Sequence, residues 1–159
     1  MTGVWIVLGV LVLASAFGLY RRATDGRLRA VTEIGADTEG SEPVPGAGPG
    51  GGHAHAGDRV SAEELGAPLG ERATLVQFSS AFCAPCRATR VVLEDVAGMV
   101  EGVAHVEVDA ESHLDLVRRL DVRRTPTVLV LDDTGLVRVR AAGAPRKADV
   151  VAALGTVIA

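Results

Sequence analysis

The chain has two cysteines, Cys83 and Cys86, with Ala84 and Pro85 between them. Cysteines at that spacing can cycle between dithiol and disulfide, supply half of a metal site, or staple the chain. A staple stabilises by shrinking the unfolded ensemble, and the gain falls with loop length, so a loop this short contributes little. A closed zinc site needs two further Cys or His ligands, and no second CxxC or His pair follows in the folded part. Haem attachment needs His directly after the second cysteine, where Arg87 stands. Redox chemistry is the reading that these exclusions leave.

That chemistry needs a low thiol pKa, and the surrounding pattern can provide it. Thr74–Phe78 reads as a strand, and a helix is predicted from Cys83 to about Val100. The first turn of a helix has unpaired N–H groups and the positive end of the dipole, both of which favour thiolate over thiol. A cysteine so placed titrates at roughly 3.5–7.5 rather than about 8.5. Arg87 and Arg90 add positive potential in the first two turns. Cys86, one turn on, can reach back to resolve a mixed disulfide formed at Cys83. Pro85 suits the first turn, where a missing N–H costs nothing. Farther along, Thr125-Pro126-Thr127 precedes an apolar run. Proline is excluded from central strands but can open one, with a cis bond in a tight turn.

Other elements frame these residues. Ser61 and Glu64 have capping-box spacing for a short helix. The helix after Cys83 is predicted to bury Ala88, Val92, Val96 and Met99. Val103–Asp109 alternates as a strand, and His113–Leu120 is predicted helical with Ser112 as its cap. His113 itself reads as exposed or capping. Thr127–Leu131 suits a buried strand, Asp133-Thr134-Gly135 a turn, and Leu136–Ala141 a half-exposed strand. Arg146–Ile158 is predicted to close the chain as an amphipathic helix. The order α, β, α, β, α, β, β, α predicts an α/β domain with a parallel core and a final antiparallel strand. The pairs Arg118-Arg119 and Arg123-Arg124 read as a solvated face or docking patch.

From Val60 to Ile158 the chain resembles the thioredoxin family, through FCAPC, VEVD, RTPT, DDTGLV and Gly143. The resemblance implies a thioredoxin-like fold, a central mixed sheet flanked by helices. It implies Cys83 as nucleophile and Cys86 as resolving thiol. Pro126, with Thr125, Phe82 and Pro85, would shape the groove for substrate peptides. It also implies protein disulfides as substrates and no bound cofactor, electrons coming from a partner reductase or a membrane donor. Four positions depart from the family pattern. Phe82 replaces the usual Trp, and Gln77 stands where the family has a buried acid. His105 replaces the lysine beside that acid, and Val91 replaces a helix-kinking proline. Gln77 and His105 are therefore the positions where proton handling is in question. Ala84-Pro85 resembles reducing members more than oxidising ones.

Outside the predicted domain (58–159) the composition changes. Thr2–Tyr20 has no charged side chain, close to the ~20 apolar residues of a spanning helix. Trp5 and Tyr20 lie near its ends, where aromatics favour the interface. Residues 1–22 are therefore expected to be an uncleaved anchor. A signal peptide cleaved near Ala14-Ser15-Ala16 is the competitor, but no Lys or Arg precedes the apolar run. Arg21, Arg22, Arg27 and Arg29 all follow it. The positive-inside rule then places the bulk of a single-pass protein in the cytoplasm, with the extracytoplasmic side as the alternative. Residues 23–57 are expected to be a juxtamembrane segment, helix or strand undecided, and a Gly/Pro-rich tether with a reach of roughly 25–30 Å. His53 and His55 within it read as incidental. A net charge of −4 with no clustered basic surface excludes nucleic acid. The function expected is a membrane-tethered thiol–disulfide reductase, against a non-catalytic scaffolding module on the same fold.

Overall fold

The computed structural model describes residues 2–24, 28–30 and 58–159. Its elements are α1 (Thr2–Thr24), β1 (Leu28–Ala30), α2 (Ala62–Leu65), β2 (Ala73–Ser79), α3 (Ala84–Met99), β3 (Val103–Asp109), α4 (Leu114–Arg119), β4 (Thr127–Asp132), β5 (Val137–Ala142) and α5 (Lys147–Val157). The five strands form one sheet in the order β1-β5-β4-β2-β3.

Every residue of β2 is buried, as its central place requires. Strand side chains alternate between faces, and the two faces of β2 supply two cores. Val76 and Phe78 pack with Leu65 of α2 and Leu116 of α4. Ala73 and Leu75 pack with Leu93 and Val96 of α3 and Val150 and Leu154 of α5. The capping box appears as expected: Glu64 N–H donates to Ser61 Oγ, and Ser61 N–H to the Glu64 carboxylate.

Only β2 and β3 are parallel; β4 runs antiparallel to both β2 and β5. This corrects the parallel core expected from strands separated by helices. The chain leaves β3 at the end where β2 also finishes. A parallel β4 would have to start at the far end, about 23 Å away for seven residues of strand. Residues 110–126 are long enough for that crossover, but the chain instead re-enters the sheet at the end where it left, and β4 runs back.

The buried face of α3 is Cys86, Thr89, Leu93 and Val96; of the expected row Ala88, Val92, Val96 and Met99, only Val96 is on it. Met99 is largely exposed. Thr89 enters the buried row because its hydroxyl donates to the Pro85 carbonyl, 3.0 Å away. A polar side chain satisfied within its own helix does not register in an apolar pattern. Ser112 does not cap α4 either. His113 occupies the N-cap position, and the Ser112 hydroxyl donates to Asp109. The paired arginines are largely committed: Arg119 to Glu64 and the Arg59 carbonyl, Arg118 to Asp115, Arg123 to Asp121.

Gly135 closes the β4–β5 hairpin at φ 82°, and a Cβ there would sit 2.3 Å from the Val60 carbonyl. Val60 N–H in turn donates to the Gly135 carbonyl. This ties the start of the domain to the hairpin.

The undecided juxtamembrane stretch contains β1, which pairs antiparallel with β5, Leu28 opposite Ala141 and Ala30 opposite Val139. Thr2–Thr24 is helical, and its side chains are exposed from Trp5 to Tyr20. Among the described residues no helix is long and apolar enough to cross a membrane, so the spanning anchor expected from the sequence is not found there. The Gly/Pro-rich stretch, with His53 and His55, lies outside the described residues.

Candidate active site

Ser79 ends β2, and a short loop brings the chain to α3. Cys83 is the N-cap of that helix, at φ −89° and ψ 93°. Its sulfur accepts from the Cys86 N–H at 3.2 Å, so it lies against the unpaired donors of the first turn. Cys83 and Cys86 form a disulfide, with Cα atoms 5.2 Å apart. The two sulfurs differ in access. Cys83 is half-buried, whereas Cys86 is 2% exposed and faces the sheet. Phe82, just ahead of the pair, is 99% exposed, and Pro85 is also exposed.

The Thr125–Pro126 bond is cis, immediately before β4. Pro126 is buried and Thr125 half-buried. Ser80, from the loop leading to the cysteines, shares a hydrogen bond with the Thr125 hydroxyl at 3.0 Å. The Pro126 carbonyl accepts from the Gly143 N–H at 2.8 Å. The two segments singled out in the sequence, about forty residues apart, are thus joined side chain to side chain.

On the β3 side of the pair is a cleft of about 420 Å³, whose walls include Cys83, Cys86, Arg87, Arg90, Glu107 and Asp109. Beneath it lies Gln77, fully buried. Its amide nitrogen donates to the Cys86 carbonyl at 2.9 Å and lies 3.5 Å from Glu107 Oε1. Gln77 Oε1 is buried with no hydrogen-bond partner. Glu107 pairs with Arg90 at 2.6 Å.

The thioredoxin family model matches residues 62–156, more than half of the chain. The chain belongs to the thioredoxin family. It is 35% identical over 77 residues to thioredoxin C-2 of Corynebacterium nephridii, covering 48% of this chain and 71% of that one. It is 33% identical over 70 residues to mouse thioredoxin domain-containing protein 2, covering 44% of this chain and 14% of the mouse protein. Among solved structures, the fold is similar to a mutant thioredoxin from Halobacterium salinarum. There the TM-score is 0.51 at 20% identity, over 56% of this chain and 77% of that one. Thioredoxin-2 of the malaria parasite gives 0.50 at 16% identity, over 54% and 82%. Family membership and the Cys83–Cys86 pair together support a thiol–disulfide oxidoreductase.

In this thioredoxin-family domain, Gln77 is tied to the backbone of Cys86 through the Cys86 carbonyl. His105 lies on the same face of β3 as Glu107, but is not among the residues lining the cleft. Burial lowers its pKa below the ordinary value of 6.5, Arg90 lowers it further, and Glu94 and Glu107 oppose. Its Nε2 is buried without a hydrogen-bond partner. The neutral ring is therefore the folded form near pH 7. The unfolded chain binds the extra proton first, so stability is lost as pH falls below 6.5. His105→Leu should flatten stability between about pH 7.5 and about pH 5.5. Urea midpoints at the two pH values check this. An equal drop in wild type and variant would assign the loss elsewhere.

Sequence reading missed Glu107 and treated Arg90 only as a source of positive potential. Burial raises the Glu107 pKa. Hydrogen bonds from Arg90 and Ser79 and the Arg90 charge outweigh that and hold it below the usual carboxylate value. The available signal was the alternation of VEVD: if Val106 and Val108 face one core, Glu107 must face the helix that carries the cysteines.

Proposed function

We propose that the chain is a protein-disulfide reductase tethered to a membrane by α1, with Cys83 as attacking thiolate and Cys86 as resolving thiol. The observation that carries the reading is the asymmetry of the pair. The accessible sulfur is the one at the helix N-terminus, where thiolate is favoured, and the buried one is placed for an internal attack. Ala84-Pro85 between them supports the reducing direction. Exposed Phe82 supports an apolar contact with a substrate polypeptide, and Thr125 with Pro126 the wall of its groove. Electrons return to the pair from a partner reductase or a membrane donor. Support for tethering is the uncharged run from Thr2 to Tyr20. The arginines after that run favour a cytoplasmic domain.

The full chain in detergent, supplied with dithiothreitol, should reduce the disulfides of insulin well above the rate with dithiothreitol alone. Binding of disulfide-containing proteins with no such acceleration would establish the scaffolding module instead. The tether is checked separately: in expressing cells the chain should pellet with membranes and resist carbonate extraction, and release by carbonate would remove it.

A further inference from the structure

We propose that Glu107 accepts the proton of the Cys86 thiol during resolution, held in place by Arg90 and through water in the cleft. This rests on the dithiol reading above and names the proton acceptor that reading lacks. Gln77 sits nearest the resolving cysteine, but an amide does not take up a proton in the useful range. Cys86 is almost fully buried, so its proton cannot leave to bulk solvent on the sheet side. The cleft that both cysteines line is its exit, and it has room for water. Two carboxylates line that cleft. Asp109 ends β3, and its carboxylate is turned to the loop that follows, where it accepts from the Glu111 N–H and the Ser112 hydroxyl. Glu107 is the one within reach of the Gln77 amide, which in turn holds the Cys86 carbonyl.

The step balances within the chain and its substrate. In the mixed disulfide, Cys83 Sγ is bonded to a substrate sulfur and Cys86 is a thiol. The Cys86 proton passes to Glu107, and the thiolate attacks Cys83 Sγ. A Cys83–Cys86 bond forms, the Cys83–substrate bond breaks, and its electron pair leaves on the substrate sulfur. That thiolate, or water, then takes the proton from Glu107. The substrate disulfide is reduced by two electrons and the cysteine pair is oxidised by two.

The charged and titratable groups around Glu107 are Arg90 and, on the same cleft wall, Arg87 from α3, and His105 and Asp109 from β3. From β2 come the Ser79 hydroxyl and the Gln77 amide. Arg90 is the only cation bonded to it among the described residues. Glu107 must be ionised to accept a proton, so resolution should fail as pH falls through its pKa. Removing Arg90 should move that acid limb to higher pH.

The test is rapid-mixing of the full reduced chain with a protein disulfide, following Cys83 attack and Cys86 resolution as separate phases. Glu107→Gln should slow resolution about a hundredfold near neutral pH, the lower end for a positioned proton acceptor. Attack by Cys83 should change far less, and Glu107→Asp should restore part of the loss. Arg90→Leu should shift the acid limb of the resolution profile upward. Resolution unchanged in Glu107→Gln overturns the proposal. So does faster resolution with the profile moved to lower pH, which would make Glu107 only a fixed negative charge. An unmoved acid limb in Arg90→Leu also overturns it. Absence of any attack phase in the wild type would instead overturn the dithiol reading itself.

Discussion

Replacing Cys83 by Ser should reduce insulin turnover to the rate of the reductant alone, while Cys86→Ser should trap the substrate. Both variants lose the catalytic cycle, but they stop at different points. Without Cys83 there is no accessible thiol, since Cys86, in the first turn of α3, is almost wholly buried. A hydroxyl at the helix N-terminus gains little from the dipole, because it stays protonated. Without Cys86 the first attack still occurs, and the mixed disulfide at Cys83 has no internal thiol to break it. Non-reducing electrophoresis and intact mass should show the covalent adduct only for Cys86→Ser. An adduct with Cys83→Ser in its place would reverse the two roles.

Phe78→Ala should destabilise the domain by about 3–5 kcal/mol, the usual cost of emptying a fully buried aromatic site. Phe78 has no exposed surface and packs against the α2 and α4 side of the sheet. Domains have only about 5–15 kcal/mol of stability in total, so this variant should lie near the edge of folding. It also stands in β2 just before the loop to Cys83, so any shift in the strand is passed to the cysteines. Phe82→Ala is the contrast: the ring is fully exposed, and its loss should change stability by no more than about 0.5 kcal/mol. Urea midpoints compare the two, and similar shifts would show that burial does not set the cost.

What the sequence disclosed follows from how local each signal is. Val103–Asp109 was readable to the residue because alternation and flanking turns sit inside the segment. Cys83 at a helix start was readable from the strand before it and Pro85 after it. Strand direction was not readable, because residues 110–126 are long enough to serve either a parallel or an antiparallel β4, and its pairing with β2 is visible only in three dimensions. The buried row of α3 was misjudged by one position, since Thr89 hides its hydroxyl in its own helix. Glu107 was passed over because its meaning is set by partners on other elements: Arg90 two turns into α3 and Gln77 on β2. Three residues of β1 carry too little pattern to identify a strand, and its pairing with β5 is visible only in three dimensions.

That last pairing alters what the Gly/Pro-rich stretch does. A leash between an anchor and a domain sets how far the domain can roam. Residues 31–57 leave the sheet at Ala30 and rejoin the domain at Asp58, so both of their ends belong to the same body. The length of chain between those two attachment points enters only as a slowly growing closure entropy. The spacer between α1 and the redox domain is Asp25-Gly26-Arg27. From Thr24 to Leu28 that is at most about 14 Å of extended chain. If α1 is held at a surface, shortening the Gly-rich loop leaves the range of Cys83 unchanged, and inserting residues after Thr24 extends it.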